Sequence, residues 1–188
     1  MRVLVAFVLL FGMLGCGATS NTGDGDEDGG DMESAAAALN EQRAEVRRLT
    51  VTLAPELAAG LGDGQTKAHG AWRGCVTAEL DGTYGSYQYA VQARLDVPSD
   101  QPRPYLETLE PVLKAEGFDV TVTRSGKLGD LTAERDGLSV NAREYDDQDG
   151  FVIWGVSGPC IEVPQAERDE WMDKQEPSPD VLADADTE

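Results

Sequence analysis

The segment "SYQYAVQARLDV", residues 86–97, restricts the fold more than any other stretch of the chain. Tyr87, Tyr89, Val91, Ala93, Leu95 and Val97 fall on one side of an extended chain, with Ser86, Gln88, Gln92, Arg94 and Asp96 on the other. Side chains alternate faces along a strand, so this period of two calls for a sheet with one buried and one wet face. "AWRGCVTAEL" before it is the expected hairpin partner, joined across "DGTYG". "FDVTVTR", "LTAERD", "LSVNAREY" and "FVIWGV" follow as short strands separated by Ser-Gly, Asp-Gly and Asp-rich turns.

Two stretches carry the helical period instead. Leu39, Val46, Leu49 and Leu53 share a stripe across residues 34–54, with Asp31 or Ser34 as cap and Pro55 ending or kinking the run. "RPYLETLEPVLKAEG" turns Leu106, Leu109 and Leu113 inward and stops at Gly117, with Pro111 expected to kink or divide it. Residues 58–70, rich in glycine, read as a loop containing His69, the chain's single histidine. The order helix, two strands, helix, four strands gives an α+β two-layer domain. Its antiparallel sheet should have about five or six strands, with helices on one face.

The ends of the chain differ in kind from this domain. After Arg2 an apolar run of 13 residues reaches Gly15, shorter than the roughly 20 residues a spanning helix needs. A basic start followed by a short apolar stretch describes an export signal. "MLGC" at its end resembles the lipobox of bacterial lipoproteins, in Leu14, Gly15 and Cys16, with Met13 where leucine is usual. The resemblance implies a signal peptide over 1–15 and diacylglyceryl transfer to Cys16. It also implies a membrane-anchored chain facing the extracytoplasmic side. Two or three acyl chains give stable anchoring where one binds marginally.

Residues 16–33 then read as the lipidated cysteine and an acidic Gly/Asp linker, too poor in apolar groups to bury a core. Asp24, Asp26, Asp28 and Gly29 have the D-x-D-x-D-G opening of a calcium loop, with Glu33 as a further ligand candidate. An EF-hand needs a bidentate glutamate at its twelfth position, and Ala35 stands there. Glu33 matches the spacing of the excalibur-type calcium motif, which expects cysteines that this stretch lacks. The spacer is the preferred reading, so no metal or cofactor is expected, and calcium is the alternative.

Setting Cys16 aside leaves Cys75 and Cys160, which bracket the domain and are expected to pair. Residues 161–188 are expected to form a short helix and a disordered acidic tail. The net charge of −20 is concentrated at the two ends, the 34–160 domain is only mildly acidic, and no basic cluster is present. Nucleic acid is therefore excluded as a partner.

No catalytic constellation is legible. His69 has no recognisable partner, no serine sits in a G-x-S-x-G elbow, and no phosphate-binding glycine loop occurs. Asp146, Asp147 and Asp149 are explained by a turn. Tyr84 and Tyr87 near the first hairpin are candidates for contact with a protein or sugar, although Tyr87, Tyr89, Trp72 and Trp154 also follow the buried period.

The whole arrangement is similar to a broad group of small actinobacterial cell-envelope lipoproteins of uncharacterised function. The likeness lies in the lipobox, the acidic spacer, the W-R-G-C start, "LKAEGF" leading into a strand and the terminal "SGPC". The anchor, the spacer, the stapled small domain and the missing catalytic constellation point to a non-catalytic binding or envelope-support module, with an envelope protein or glycan as partner. The alternatives are a small-ligand or calcium sensor and, third, a carboxylate-based cell-wall hydrolase.

Overall fold

A computed structural model describes residues 28–61, 64–75, 84–98, 104–145 and 150–185. Helix α1 (Asp28–Leu61) is followed by β1 (Gly64–Gly74), β2 (Ser86–Asp96), α2 (Leu106–Ala115) and β3 (Asp119–Ser125). Then come β4 (Leu128–Arg135), β5 (Leu138–Tyr145), β6 (Phe151–Ser157) and the short β7 (Ile161–Glu162). A 3₁₀ turn, α3 (Arg168–Asp173) and α4 (Val181–Ala185) complete the described chain. All strand pairs are antiparallel, in the order β1-β2-β6-β5-β4-β3, with β7 continuing beside β2 where β6 ends.

One face of this sheet is closed. Val91, Ala93 and Leu95 of β2, Val152, Trp154 and Val156 of β6, Val140 and Ala142 of β5, and Leu131 and Ala133 of β4 are buried. They pack with Leu49, Leu53, Leu57 and Leu61 of α1 and Leu106, Leu109 and Leu113 of α2. This is the expected α+β two-layer architecture.

The helices run further than the prolines suggested. Pro55 is exposed, and α1 continues past it because Leu57 and Leu61 extend the stripe begun by Leu53. Pro111 is likewise exposed inside a single ten-residue α2. Gly117 (φ +83°) ends that helix, its N–H donating to the Lys114 carbonyl while the Phe118 N–H reaches Leu113.

Two expectations are corrected. Residues 64–70 are strand, so His69 stands in β1 opposite Gln92 and the hairpin partner of β2 begins seven residues before Ala71. An irregularity in the register between Gln65 and Ala68 disguises the alternation there. The acidic C-terminal segment is ordered through Ala185. Trp171 packs with Leu39, Tyr87 and Val163 in a second small core, and Val181 joins the main one. Glu176 binds Arg43 and Arg47 of α1, with Arg43 Nε at 2.9 Å, and its side chain is only 3% exposed. The Gly70 N–H donates to the Pro179 carbonyl at 2.8 Å, so this segment straps the free edge of β1.

Cys75 and Cys160 form the expected disulfide, Cα atoms 5.9 Å apart, tying the end of β1 to the β6–β7 connection. At that connection β2 passes from β6 to β7, and Pro159 has no N–H to offer. Gln42, buried in α1, fills the gap. Its Nε2 donates to the Pro159 carbonyl and its Oε1 accepts from the Tyr89 N–H at 2.6 Å. The amide stands in for a rung of the ladder, and Gly158 leaves room for it, since a Cβ there would lie 2.3 Å from Gln42 Cγ.

A charged row crosses the closed face near α2. Arg124 of β3 pairs with Gly129 of β4, which pairs with Glu144 of β5. The missing side chain at Gly129 lets the outer two meet: Arg124 Nη1 donates to Glu144 Oε1 at 2.5 Å. Glu144, 1% exposed, also accepts from the N–H groups of Tyr105 (2.7 Å) and Leu106 (3.1 Å) at the start of α2. A carboxylate from the sheet thus caps a helix whose own N-terminal residue supplies no side-chain cap.

Candidate functional site

The other face of the sheet carries no helix among the described residues. A row runs across it through the paired residues His69, Gln92, Gly155, Asn141, Thr132 and Thr121. Gly155 has no side chain, and its neighbours Ala90 and Ser157 are small. The β-carbon that any other residue would place at 155 would lie 2.6 Å from the Val91 carbonyl oxygen. Glycine therefore permits a close approach of β6 to β2. A shallow hollow of about 560 Å³, open to solvent, lies over this stretch.

The walls of this hollow come from the same row. Gln92 and Asn141 stand on either side of Gly155, two strand spacings or roughly 10 Å apart. Each side-chain amide has donors and an acceptor, and Asn141 uses one donor on Ser139 Oγ at 3.1 Å. Thr132 and Ser157 add hydroxyls, and Ile153 adds an apolar wall. Arg143 Nε donates to Asp130 Oδ1 at 2.6 Å, one cation against one anion on this stretch of wall. Asp130 and the nearby Tyr145 hold the Arg143 guanidinium above its ordinary range. Arg73 lies exposed at the rim.

Such a hollow offers hydrogen bonds, one balanced ion pair, the Arg73 cation at its rim and a small apolar patch. Among the described residues its lining holds no nucleophile–base pair, and His69 stands exposed at the end of the row. No group of His, Cys, Asp and Glu among the described residues is placed to hold a metal ion.

The residues singled out from sequence lie elsewhere. Tyr87 is buried in the second core, its hydroxyl donating to the Arg168 carbonyl at 2.9 Å, so it is not a surface contact. Tyr84 is half-buried, its ring 6.0 Å from that of Tyr87 and packed so closely on Gly74 that a Cβ there would collide with it. The C-terminal segment covers both tyrosines, which is what a reading of the first hairpin alone misses. Asp28 and Glu33 belong to the first turns of α1. Cys16, Asp24, Asp26, Asp146, Asp147 and Asp149 lie outside the described residues. The hollow itself was missed because its residues are small or polar and carry no period. Its one sequence signal was the isolated glycine inside "FVIWGV".

Beneath the closed face, burial pushes the Tyr89 hydroxyl up to about 12, with Arg47 and Glu176 beside it. Burial also pushes Glu176 up, but Arg43, Tyr89 and Arg47 together outweigh it and leave the carboxyl below its ordinary value. The shifts accompany a structural clamp. Trp171, Trp72 and Tyr89 stack edge to face around it, and Lys174 Nζ lies 3.8 Å from the centre of the Trp171 ring.

No protein-family model matches the chain. No curated protein matches it by sequence. Among solved structures it is similar to the crystal structure of a Mycobacterium tuberculosis protein designated lipoprotein LppA, at 15% identity and a TM-score of 0.38. The match covers 79% of this chain and 94% of that one. At these values the likeness assigns neither family nor role. No described helix is long and apolar enough to cross a membrane.

Proposed function

We propose that the chain is a lipid-anchored extracytoplasmic lipoprotein whose domain acts without catalysis, presenting the open sheet face to a polar component of the envelope. The observation that carries this reading is the asymmetry of the sheet. Helices close one face, while the other keeps a hollow lined by Gln92, Asn141, Thr132 and Ser157 around Gly155. Pockets with a few convergent polar groups are where ligands orient. With Arg143 paired to Asp130, the hollow's remaining charge is confined to Arg73 at its rim, which favours a hydroxyl- or amide-rich surface over a densely phosphorylated one. The anchor rests on Leu14, Gly15 and Cys16.

A photo-crosslinking residue at position 92 in the full chain, expressed in an envelope-bearing host, tests the binding face. The expected result is adducts to an envelope protein or glycan that a crosslinker at exposed Glu56 on α1 does not give. Equal adducts from both positions, or none from position 92, overturn the reading. Globomycin tests the anchor separately, and unchanged processing of the precursor removes it.

A further inference from the structure

The sheet has two free edges, and the chain treats them differently. The edge of β1 is covered by the C-terminal segment, through Gly70 and Pro179 and a bridge between His69 and Asp180. The edge of β3 has no strand beyond it among the described residues. All seven residues of β3 are half or fully exposed.

Its backbone orientation follows from the turn. Ser125 and Leu128 flank the two-residue turn at Gly126 and Lys127, with Gly126 at φ +59°. In such a hairpin the flanking pair exchanges both ladder bonds. Asp119, Thr121, Thr123 and Ser125 therefore face β4, and Val120, Val122 and Arg124 aim their N–H and C=O groups outward. Exposed edges are ordinarily blunted by short length, proline, a bulge, or charged side chains on the edge or pointing inward. The ladder with β4 is unbroken, no proline occurs, and Arg124, the one inward charge, is engaged by Glu107 and Glu144.

We propose that β3 pairs antiparallel with β3 of a second copy of this chain, Val122 facing Val122 across a two-fold axis. Only this register engages all seven residues. It sets Val120 beside Arg124 of the second copy and Thr121 opposite Thr123, a favourable cross-strand pair. It also brings Asp119 to Ser125 and the adjoining Lys127 of the second copy, so opposite charges meet at both ends of the ribbon. The half-buried Val120 and Val122 gain cover from their counterparts. An isologous contact of this kind closes on itself and leaves the hollow around Gly155 open in both copies. The pairing does not depend on acylation of Cys16, although a shared membrane would raise the effective concentration.

Thr121→Cys and Thr123→Cys full-length chains, purified separately and mixed under mild oxidation, test the register. A disulfide-linked dimer should form in the mixture and be several-fold scarcer with either variant alone, since identical positions lie diagonally, about 7–8 Å apart. A T121K/T123K chain, altered only at exposed positions, should retain the wild-type melting temperature. Its dimer dissociation constant in sedimentation equilibrium should rise by about tenfold or more. A wild-type chain that stays monomeric, or crosslinking no greater in the mixture than in the single variants, overturns the proposal. So does capture of β3 by an extended segment of another protein in place of the second copy.

Discussion

Two glycines in the middle of strands do opposite things on the two faces of one sheet. Gly129 stands between Arg124 and Glu144 on the closed face, and the long side chains meet across it under α2. Gly155 stands between Gln92 and Asn141 on the open face, where shorter amides leave the space above it empty. An added Cβ at Gly129 would meet side-chain atoms of Arg124, Glu144 and Leu106, whereas at Gly155 it would meet backbone. A glycine row therefore becomes a structural bridge when its flanking side chains span two strands and a helix needs a cap. With shorter flanking groups and no helix above it among the described residues, it stays an open hollow.

The strongest way to break this contrast is to remove its buried charge. Glu144→Ala leaves the Tyr105 and Leu106 N–H groups and one Arg124 nitrogen without their acceptor. It should lower stability by about 2–4 kcal/mol, seen as a lower urea midpoint with an unchanged slope. Gly155→Ala comes next, at about 1–3 kcal/mol, because the backbone itself must shift. Gln92→Ala and Asn141→Ala should each change stability by less than about 0.5 kcal/mol, and Asn141→Ala should weaken crosslinking from position 92. A cost for Gln92→Ala as large as that for Glu144→Ala would make both rows structural.

The smallest effect concerns pH. Hydrogen bonding to Arg124 holds the half-exposed Glu107 below its ordinary value of 4.5. A carboxyl depressed on folding stabilises fully above its unfolded value, and that share is lost as pH falls through the folded one. The Glu107→Gln chain should therefore be slightly less stable than wild type at neutral pH, with the gap closing as pH falls below about 4.5.

Much of the architecture could be read from the chain because burial on one face imposes a period. Tyr87 to Val97 is the clearest case, and the turn glycines Gly117 and Gly126 fall where the helix and hairpin need them. Asp136 and Gly137, both at positive φ, likewise make the tight turn that Asp-Gly suggested. What escaped were elements without a period. β1 hides its alternation behind glycines and an irregular register. The C-terminal segment binds through a few widely spaced residues, Trp171, Glu176 and Val181, in an acidic composition that resembles a tail. The hollow depends on the absence of a side chain at Gly155 and, among the described residues, of a helix above it, and only tertiary structure reveals the second.

The disulfide also has a mechanical meaning. For a chain held at one end and pulled at the other, load passes through the Cys75–Cys160 bond and bypasses residues 76–159. Strands β2 to β6, the floor of the hollow included, lie inside that bypass. Stretching can peel away the C-terminal strap, β1 and α1, yet the contour length of the 76–159 loop stays locked until the bond is reduced. Tension at an anchored surface would therefore reach the clamp at Glu176 before it reached the open face.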